Sequence, residues 1–472
     1  MLGSGVSGRA AAVAASEAGI QVRVFDQQTS PPLLLPGAEE VPVTSDPDGA
    51  ALASLVLDWD PQVVVASPGI PPHSSLLLAL KDRQIWSEVQ LAWALQQTSP
   101  SAGRPWLMVT GTNGKTTTVG ILTSILRASG EDVAEVGNVG LPITSRARGP
   151  ATVFAVEVSS FQLEYSDALM PQASVCLNVE EDHLDWHGTG AAYRAAKGKV
   201  YDGTRRARFY FDGDVGVASL AESAKRARES ELVALGVEHV PHGGIGVDGD
   251  ALIDATSGSP VRVANLRLVP FYVSQGAPAG LRQDIVAAAA LSLAHGVGAQ
   301  AIQRGLETYQ PEAHRGAVVA TVDSVRWVNN SKATNAHAAL AALRGVPRGT
   351  AVWIAGGDGK GQDFKHLVSQ AKESLRAVVV IGADREPLRR ALYQHAPQTP
   401  IVEVAGDGPP SGWMEDVVRA ASEHAQAGDT VLLAPACASW DQFRDYAERG
   451  DIFAAAVRDL SGGAGALGTA VQ

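Results

Sequence analysis

One stretch of this chain constrains its fold more than any other: VTGTNGKTTTVGILTSIL, residues 109–126. An apolar run at 106–109 leads into a glycine-rich turn and then into a sequence typical of a helix. Glycines let backbone N–H groups turn inward around phosphate oxygens, and the helix N-terminus adds a favourable dipole. The stretch therefore predicts a phosphate-binding loop, with a plain strand–helix turn as the alternative.

This loop predicts an ATP and Mg²⁺ site. Lys115 would reach the β- and γ-phosphates, and the Thr116 hydroxyl would bind the metal ion. The spacing departs from the strict G-x-x-x-x-G-K-[ST] pattern because residue 109 is Val. The predicted ATP contacts within the loop are Gly111, Thr112, Asn113, Gly114, Lys115, Thr116 and Thr117.

Two other strand-like runs end in chemically active side chains. Glu157 closes the apolar run TVFAVE, and His183 follows the run ASVCLNV. The carboxyl ends of parallel strands lie on the edge of the sheet where ligands bind. A charged group in an apolar run is costly unless it is paired or metal-bound, so Glu157 is either a metal ligand or half of a core ion pair. We expect the loop, Glu157 and His183 to converge on one cleft.

The first residues, MLGSGVSGRA, contain a second glycine motif. Gly3, Gly5 and Gly8 form G-x-G-x-x-G, and Asp26 follows at the spacing of a dinucleotide-binding turn. Such a turn follows a strand, yet only two residues precede it. Because a missing central strand leaves its neighbours' backbone groups unpaired, we hypothesise that the natural chain begins earlier, with an apolar strand. Taken alone, the motif supports a nicotinamide-dependent oxidoreductase, which leaves the phosphate loop unexplained.

Strand-like runs alternate with Ala-rich helical stretches, which predicts an α/β protein with mainly parallel sheets. The 472 residues are too many for one ordinary core. We predict a Rossmann-like domain over 1–97, a P-loop ATPase-like domain over 98–310, a Rossmann-like domain over 311–460 and a flexible tail over 461–472. Polar segments at the two internal boundaries mark the junctions.

Composition excludes several functional classes. The net charge of −12 argues against a nucleic-acid-binding face. Cys176 and Cys437 lie in apolar surroundings, which favours buried free thiols over a disulfide or metal pair and fits a reducing cytosol. No apolar run reaches the roughly 18 residues of a membrane span. We expect a cytoplasmic, monomeric protein that acts on small molecules.

Several motifs together resemble the Mur ligases of bacterial cell-wall synthesis. They occur in family order: GTNGKTTT, EVSSFQLE, NVEEDHLDWHG, YRAAKGKVY, AHRG, NNSKATN, GGDGKGQDF and ACASWDQF. SKATN with ACASWDQF is most similar to the branch that adds D-glutamate to UDP-N-acetylmuramoyl-L-alanine. Folylpolyglutamate synthase shares the phosphate loop but not the later motifs. The resemblance implies an ATP-dependent, Mg²⁺-requiring amide ligase that works through an acyl phosphate.

The resemblance also implies residue roles. Lys115, His183 and Lys197 match catalytic positions, and Thr116, Glu157, His183 and a carbamylated Lys197 match metal ligands. Carbamylation requires a neutral amine, so burial or neighbouring cations must lower the pKa of Lys197. Without the resemblance, the sequence predicts that Lys197 is a solvated lysine on a helix.

Substrate contacts are implied in the same way. Contacts to the UDP-substrate fall on Ser7, Asp26, Ser67, Gly69, Asn138 and Ser159. Contacts to D-glutamate fall on Lys332, Thr334, Lys360, Ser439 and Tyr446. Further ATP contacts fall on Arg315 and Asn330.

Four departures from the family pattern motivate an alternative, a non-catalytic relative. The first strand is missing, Asn330 stands where Asp is usual, and Ala317 stands where Glu is usual. In addition, the family's H-N-x-x-N segment is replaced by residues 280–284. The phosphate and metal positions show no departure, which favours a working enzyme.

Overall fold

A computed structural model describes residues 1–34, 40–138, 140–180, 182–227, 229–274, 279–311, 313–359, 361–406 and 408–466. The chain separates into two compact units. The first comprises Met1–Val269 and Leu281–Tyr309, and the second comprises Pro270–Gly280 and Gln310–Gln472. The three-domain division remains a prediction.

The N-terminal part of the first unit contains short paired strands and four helices among its described residues. The strands are β1 (Val24–Asp26), β2 (Leu33–Leu34), β3 (Glu40–Val41), β4 (Val43–Ser45), β5 (Val64–Val65) and β6 (Ile85–Trp86). The helices are α1 (Val6–Glu17), α2 (Gly49–Trp59), α3 (Ser75–Ala79) and α4 (Glu88–Gln97). β1 pairs in parallel with β4, and β5 pairs in parallel with β6.

Leu2 joins these two strand pairs. It forms parallel bridges to Phe25 on one side and Ala66 on the other, and its side chain is fully buried. Its N–H donates to the carbonyl of Val65 at 2.7 Å, and the carbonyl of Met1 accepts from Phe25 N at 2.9 Å. The expectation that the neighbours' backbone groups stay unpaired is therefore wrong for these groups, because Met1 and Leu2 supply their partners.

A nine-stranded sheet forms the rest of the first unit. Its strands are β7 (Trp106–Thr110), β8 (Val133–Gly137), β9 (Val153–Glu157), β10 (Ala173–Cys176), β11 (Ala207–Phe211), β12 (Glu231–Gly236), β13 (Ile245–Asp248), β14 (Ala251–Asp254) and β15 (Val261–Asn265). The helices of this part of the sequence are α5 (Lys115–Ala128), α6 (Ser160–Glu164), α7 (Leu184–His187), α8 (Gly190–Gly198), α9 (Val215–Glu222), α10 (Pro270–Ser274), α11 (Ala279–His295) and α12 (Ala299–Thr308), with 3₁₀ turns at Ile143–Ser145, Lys199–Tyr201 and Leu266–Leu268. α10 falls in the second unit.

β7 lies where the strand order of this sheet reverses. The order is β15-β14-β13-β12-β11-β10-β7-β9-β8, and all pairs are parallel except β13–β14 and β14–β15. The chain therefore leaves β7 for edge strand β8, returns to β9 beside β7, and later places β10 on the other side. A crevice forms outside the carboxyl ends of the strands at such a reversal, and ligands bind there.

The second unit contains a six-stranded sheet in the order β16-β17-β21-β18-β19-β20, parallel except for β16–β17. Its strands are β16 (Ala317–Val322), β17 (Val325–Asn329), β18 (Ala351–Gly356), β19 (Leu375–Ile381), β20 (Ile401–Glu403) and β21 (Thr430–Leu433). The helices are α13 (Ala336–Arg344), α14 (Lys365–Ala371), α15 (Glu386–His395), α16 (Pro410–His424) and α17 (Tyr446–Ala466). The predicted α/β class with mainly parallel sheets is confirmed.

Residues 461–466 belong to α17, although the sequence predicts that a flexible tail begins at 461. A helix anchored at its start propagates easily, because each added residue gains one hydrogen bond. Residues 467–472 lie outside the described residues. None of the described helices combines the length and hydropathy needed to cross a membrane.

Candidate active site

The phosphate loop is a tight turn at the carboxyl end of β7. Gly114, which precedes α5, has φ +86°, and a Cβ there would lie 2.4 Å from Oδ1 of Asp284. The Asn178 side chain, which follows β10, accepts hydrogen bonds from the N–H groups of Thr112 (3.0 Å) and Asn113 (2.9 Å). The backbone of the loop is therefore held by a neighbouring strand end. Asn178 was not among the predicted site residues.

Lys115 folds back onto this loop. Its ammonium group donates to the carbonyl oxygens of Gly111 (2.9 Å) and Thr112 (3.0 Å). Thr112 also contacts the Tyr193 hydroxyl through its own hydroxyl at 2.9 Å. Thr117 is half-buried in the first turn of α5. The predicted ATP contacts from Gly111 to Thr117 thus lie in the loop after β7 and the first turn of α5.

Glu157 is a buried carboxylate beside the loop. It ends β9, and its two oxygens accept from the Thr116 hydroxyl (2.6 Å) and the Asn138 amide (2.9 Å). Within the described residues no cationic side chain pairs with it, so the core ion pair that the sequence left open is not found. A buried carboxylate whose two oxygens accept from neutral donors fits a cation ligand.

Lys197 is the opposite of a solvated helix lysine. It lies in α8 with 2% exposure, and its ammonium group donates to the Gly111 carbonyl at 2.7 Å. The Tyr193 ring lies 4.9 Å from the same nitrogen. Burial, with a smaller contribution from Lys115, lowers the pKa of Lys197 from 10.5 to about 7. The amine is therefore substantially neutral near pH 7, as carbamylation requires.

His183 lies immediately before the short helix α7, in a left-handed conformation with φ 53°. Its ring packs against Phe161 with centroids 4.7 Å apart and lies 6.3 Å from the Tyr193 ring. His187, on the same helix, stacks on Phe161 and approaches Ser160 Oγ at 2.9 Å. Aromatic packing therefore orients the candidate histidine.

No group of three or more His, Cys, Asp or Glu side chains in the described ranges forms a metal-binding cluster. Mg²⁺ usually takes one or two protein carboxylates together with substrate phosphates, so a smaller protein ligand set suits it. Glu157 and Thr116 match that pattern.

The N-terminal glycine motif forms a close-packed turn. A Cβ at Gly8 would lie 2.0 Å from the Gly3 carbonyl oxygen, whereas a Cβ at Gly5 would meet no atom within 4 Å. The N–H and hydroxyl of Ser4 both donate to Asp26 Oδ2 at 2.6 Å. Burial raises the pKa of Asp26, but these hydrogen bonds and one from Gln28 outweigh it and lower the pKa. Asp26 thus stabilises the conformation of the glycine turn through its hydrogen bonds to Ser4.

The remaining predicted UDP contacts occupy different environments. Ser67 Oγ lies 2.6 Å from where a Cβ of Gly3 would be, so it belongs to the same turn. Ser7 is half-buried and Gly69 is exposed. Ser159 caps α6 in a reciprocal arrangement with Gln162, which commits its hydroxyl to the helix end.

Two predicted D-glutamate contacts in the second unit meet directly. The Lys332 ammonium group donates to the Tyr446 hydroxyl at 3.1 Å and lies 4.8 Å from its ring centre. Thr334 follows two residues later, and its N–H donates to the Lys332 carbonyl at 2.8 Å. Ser439 is buried after β21. Lys360 lies outside the described residues.

The predicted ATP contacts of the second unit flank β16 and β17. Asn330 follows β17 and donates its N–H to the Leu433 carbonyl at 2.8 Å. Its neighbour Asn329 is 3% exposed and contacts His314 Nδ1 at 3.0 Å. Arg315 lies two residues before β16.

Comparisons with known proteins identify two family domains in this chain and several similar enzymes. Residues 109–238 match the Mur ligase middle domain, and residues 314–437 match the Mur ligase glutamate ligase domain. The UDP-N-acetylmuramoylalanine–D-glutamate ligase of Frankia casuarinae is 43% identical over 98% of this chain and 94% of its own length. The enzyme of the same name from Thermobifida fusca is 45% identical over 85% of each chain.

A solved structure shares the fold at low sequence identity. The UDP-N-acetylmuramate–alanine ligase MurC from Thermotoga maritima superimposes with a TM-score of 0.55 at 15% identity, covering 97% of this chain and 98% of its own. The two relatives above, each more than 40% identical over most of this chain, show that it belongs to the Mur ligase family, and within it to the UDP-N-acetylmuramoylalanine–D-glutamate ligases.

Proposed function

We propose that this protein is an ATP-dependent ligase that adds D-glutamate to UDP-N-acetylmuramoyl-L-alanine in peptidoglycan precursor synthesis. The observation that carries the proposal is the grouping at the end of β7, where Lys115 and Lys197 share the Gly111 carbonyl. Thr116 contacts buried Glu157 in the same loop. Phosphoryl transfer needs positioning and charge neutralisation, which a phosphate loop and a buried carboxylate that holds a metal ion can supply.

The proposed reaction has two chemical steps. A carboxylate oxygen of the alanyl group attacks the γ-phosphorus of ATP, which forms an acyl phosphate and releases ADP. The amine of D-glutamate then attacks the acyl carbon, loses a proton and expels phosphate, which leaves an amide. Phosphoryl transfer depends mainly on positioning and charge neutralisation, which Lys115 supplies when it turns from the Gly111 carbonyl to the phosphates.

Thr116, Glu157, His183 and a carbamylated Lys197 would hold Mg²⁺. When bound, the ion neutralises phosphate charge. The carbamate forms when the neutral Lys197 nitrogen bonds to the carbon of CO₂ and loses a proton. The lowered pKa of Lys197 supports this modification.

The UDP site would lie at the glycine turn, and the D-glutamate site would lie in the second unit. The turn at Gly3, Gly8 and Asp26, with Ser7, Ser67 and Gly69, would bind the UDP end, and Asn138 and Ser159 would line its path. Lys332, Thr334, Ser439 and Tyr446 would bind the D-glutamate carboxylates through ammonium and hydroxyl donors. Arg315 and Asn330 would contact ATP.

Phosphate release from ATP, measured with and without each substrate, tests the proposal. We expect release only when both UDP-N-acetylmuramoyl-L-alanine and D-glutamate are present. Lys115→Ala should abolish release while leaving the thermal unfolding temperature nearly unchanged. Release that is indifferent to D-glutamate would refute the proposed function, and so would its complete absence in the wild type.

A further inference from the structure

Arg449 carries a buried positive charge in the first turn of α17. Its side chain is fully buried, and its guanidinium group pairs with no carboxylate in the described part of the chain. Nε donates to Ser331 Oγ at 2.9 Å, Nη2 to the Ser331 carbonyl at 2.8 Å, and Nη1 to the Cys437 carbonyl at 3.2 Å. Burial lowers the pKa of Arg449 only to about 10, so the charge persists at neutral pH.

These acceptors belong to loops that carry the proposed D-glutamate contacts. Ser331 directly precedes Lys332, and Cys437 lies two residues before Ser439. Ser331 Oγ also donates to the carbonyl of Tyr446 at 2.8 Å. Ser331 therefore links Arg449 to Tyr446, which is another proposed D-glutamate contact. Ser331 lies 118 residues before Arg449 and Cys437 lies 12 residues before it, so the guanidinium ties together two segments that are 106 residues apart in sequence.

A third loop packs directly on this arrangement. A Cβ at Gly357, which follows β18, would lie 2.2 Å from the Ala438 carbonyl and 3.3 Å from Arg449 Nη1. The backbone there has φ +129°. Only glycine lets this loop approach the guanidinium so closely, so the three loops meet around Arg449.

We propose that Arg449 is a positioning residue for the amino-acid substrate: it fixes the loops of Lys332 and Ser439 and keeps a positive charge beneath a pocket for a dicarboxylate. The inference rests on the proposed function. A buried cation without an anionic partner is costly, and an apolar residue would serve packing alone at lower cost. In a site closed from water, a fixed charge attracts an anion more strongly than in bulk solvent.

Arg449→Met and Arg449→Lys test this role. Methionine removes the charge, and lysine keeps it but loses the planar fork of donors. The matched control is Arg376→Met, because Arg376 pairs with buried Asp429 (3.0 Å) at the amino ends of the strands of the same unit. The measurements are KM for D-glutamate, KM for the UDP-substrate, kcat and the thermal unfolding temperature of each full-length variant.

We expect Arg449→Met to raise KM for D-glutamate by about 10- to 100-fold, as a displaced binding group does. KM for the UDP-substrate, whose proposed contacts all lie in the first unit, should stay within about twofold. KM for D-glutamate in Arg449→Lys should fall between the values of the wild type and Arg449→Met. Arg376→Met should lower the unfolding temperature without changing the ratio of the two KM values. An unchanged ratio in both Arg449 variants overturns the inference, while a wild type indifferent to D-glutamate overturns the proposed function and the inference with it.

Discussion

The ammonium groups of Lys115 and Lys197 donate hydrogen bonds to one acceptor, the carbonyl oxygen of Gly111, at 2.9 and 2.7 Å. Lys197 is buried, and two ammonium groups on one oxygen repel each other. Burial and the nearby Lys115 charge therefore lower the pKa of Lys197 to about 7. In the proposed reaction Lys115 would contact phosphate, and the lowered pKa of Lys197 would allow its modification.

Replacing Lys197 with Met should change how stability depends on pH. The pKa of Lys197 is about 7 in the folded protein and 10.5 ordinarily, so the unfolded chain binds more protons between these values. The free energy of unfolding of the wild type should therefore rise as the pH increases from about 7 to 10.5. Below pH 7 the buried charge should lower it by about 1.4 kcal/mol for each unit of difference between the two pKa values. We expect the Met variant to be the more stable at pH 6.5 and the difference to shrink towards pH 10.

Urea unfolding of both proteins in CO₂-depleted buffer, at several pH values, measures this difference. Lys199→Met is the control, because Lys199 is half-buried and pairs with Asp167 at 3.1 Å. The difference in the free energy of unfolding between the wild type and Lys199→Met should not shrink comparably as the pH increases. A constant difference between wild type and Lys197→Met at every pH would contradict the burial of a titrating amine.

Removal of CO₂ should lower ligase activity, and bicarbonate should restore it. Carbamylation consumes the neutral form of Lys197, whose fraction rises as pH increases through about 7. The bicarbonate concentration needed for half-maximal restoration should accordingly be higher at pH 6.5 than at pH 8. Activity assays in degassed buffer, with carbon-13 NMR of protein incubated with labelled bicarbonate, measure both effects. Potassium chloride at equal ionic strength is the control, and the absence of both responses would exclude the carbamate.

The sequence predicted those parts of the site that carry a local signal. The phosphate loop, Glu157 and the strand ends around them were recognisable because glycines, lysine and carboxylate sit at fixed offsets from apolar runs. Asn178 was missed because its role depends on β10 lying beside β7, which is a non-local fact. Arg449 lies in the polar segment RDYAERGD, which resembles a solvated helix, and its burial depends on a loop 118 residues away.

Both cysteines should resist alkylation in the folded protein. Burial is the main cause that raises the pKa values of Cys176 and Cys437 to about 12. Because the thiolate is the reactive form, only ~1 in 10⁴ thiols is reactive at pH 8. Reaction with iodoacetamide, followed by intact-mass measurement, should show no adduct under native conditions and two adducts in urea. Rapid native labelling would contradict the buried placement of the labelled cysteine.

Gly8→Ala should destabilise the N-terminal turn, whereas Gly5→Ala should be nearly neutral. An added Cβ at Gly8 would lie 2.0 Å from the Gly3 carbonyl oxygen, but at Gly5 it would meet no atom within 4 Å. Relieving a backbone clash of this kind costs about 1–3 kcal/mol in the free energy of unfolding. Because the same turn is the proposed UDP site, KM for the UDP-substrate should rise in Gly8→Ala while KM for D-glutamate stays constant. Equal behaviour of the two variants would mean that the turn is not packed as described.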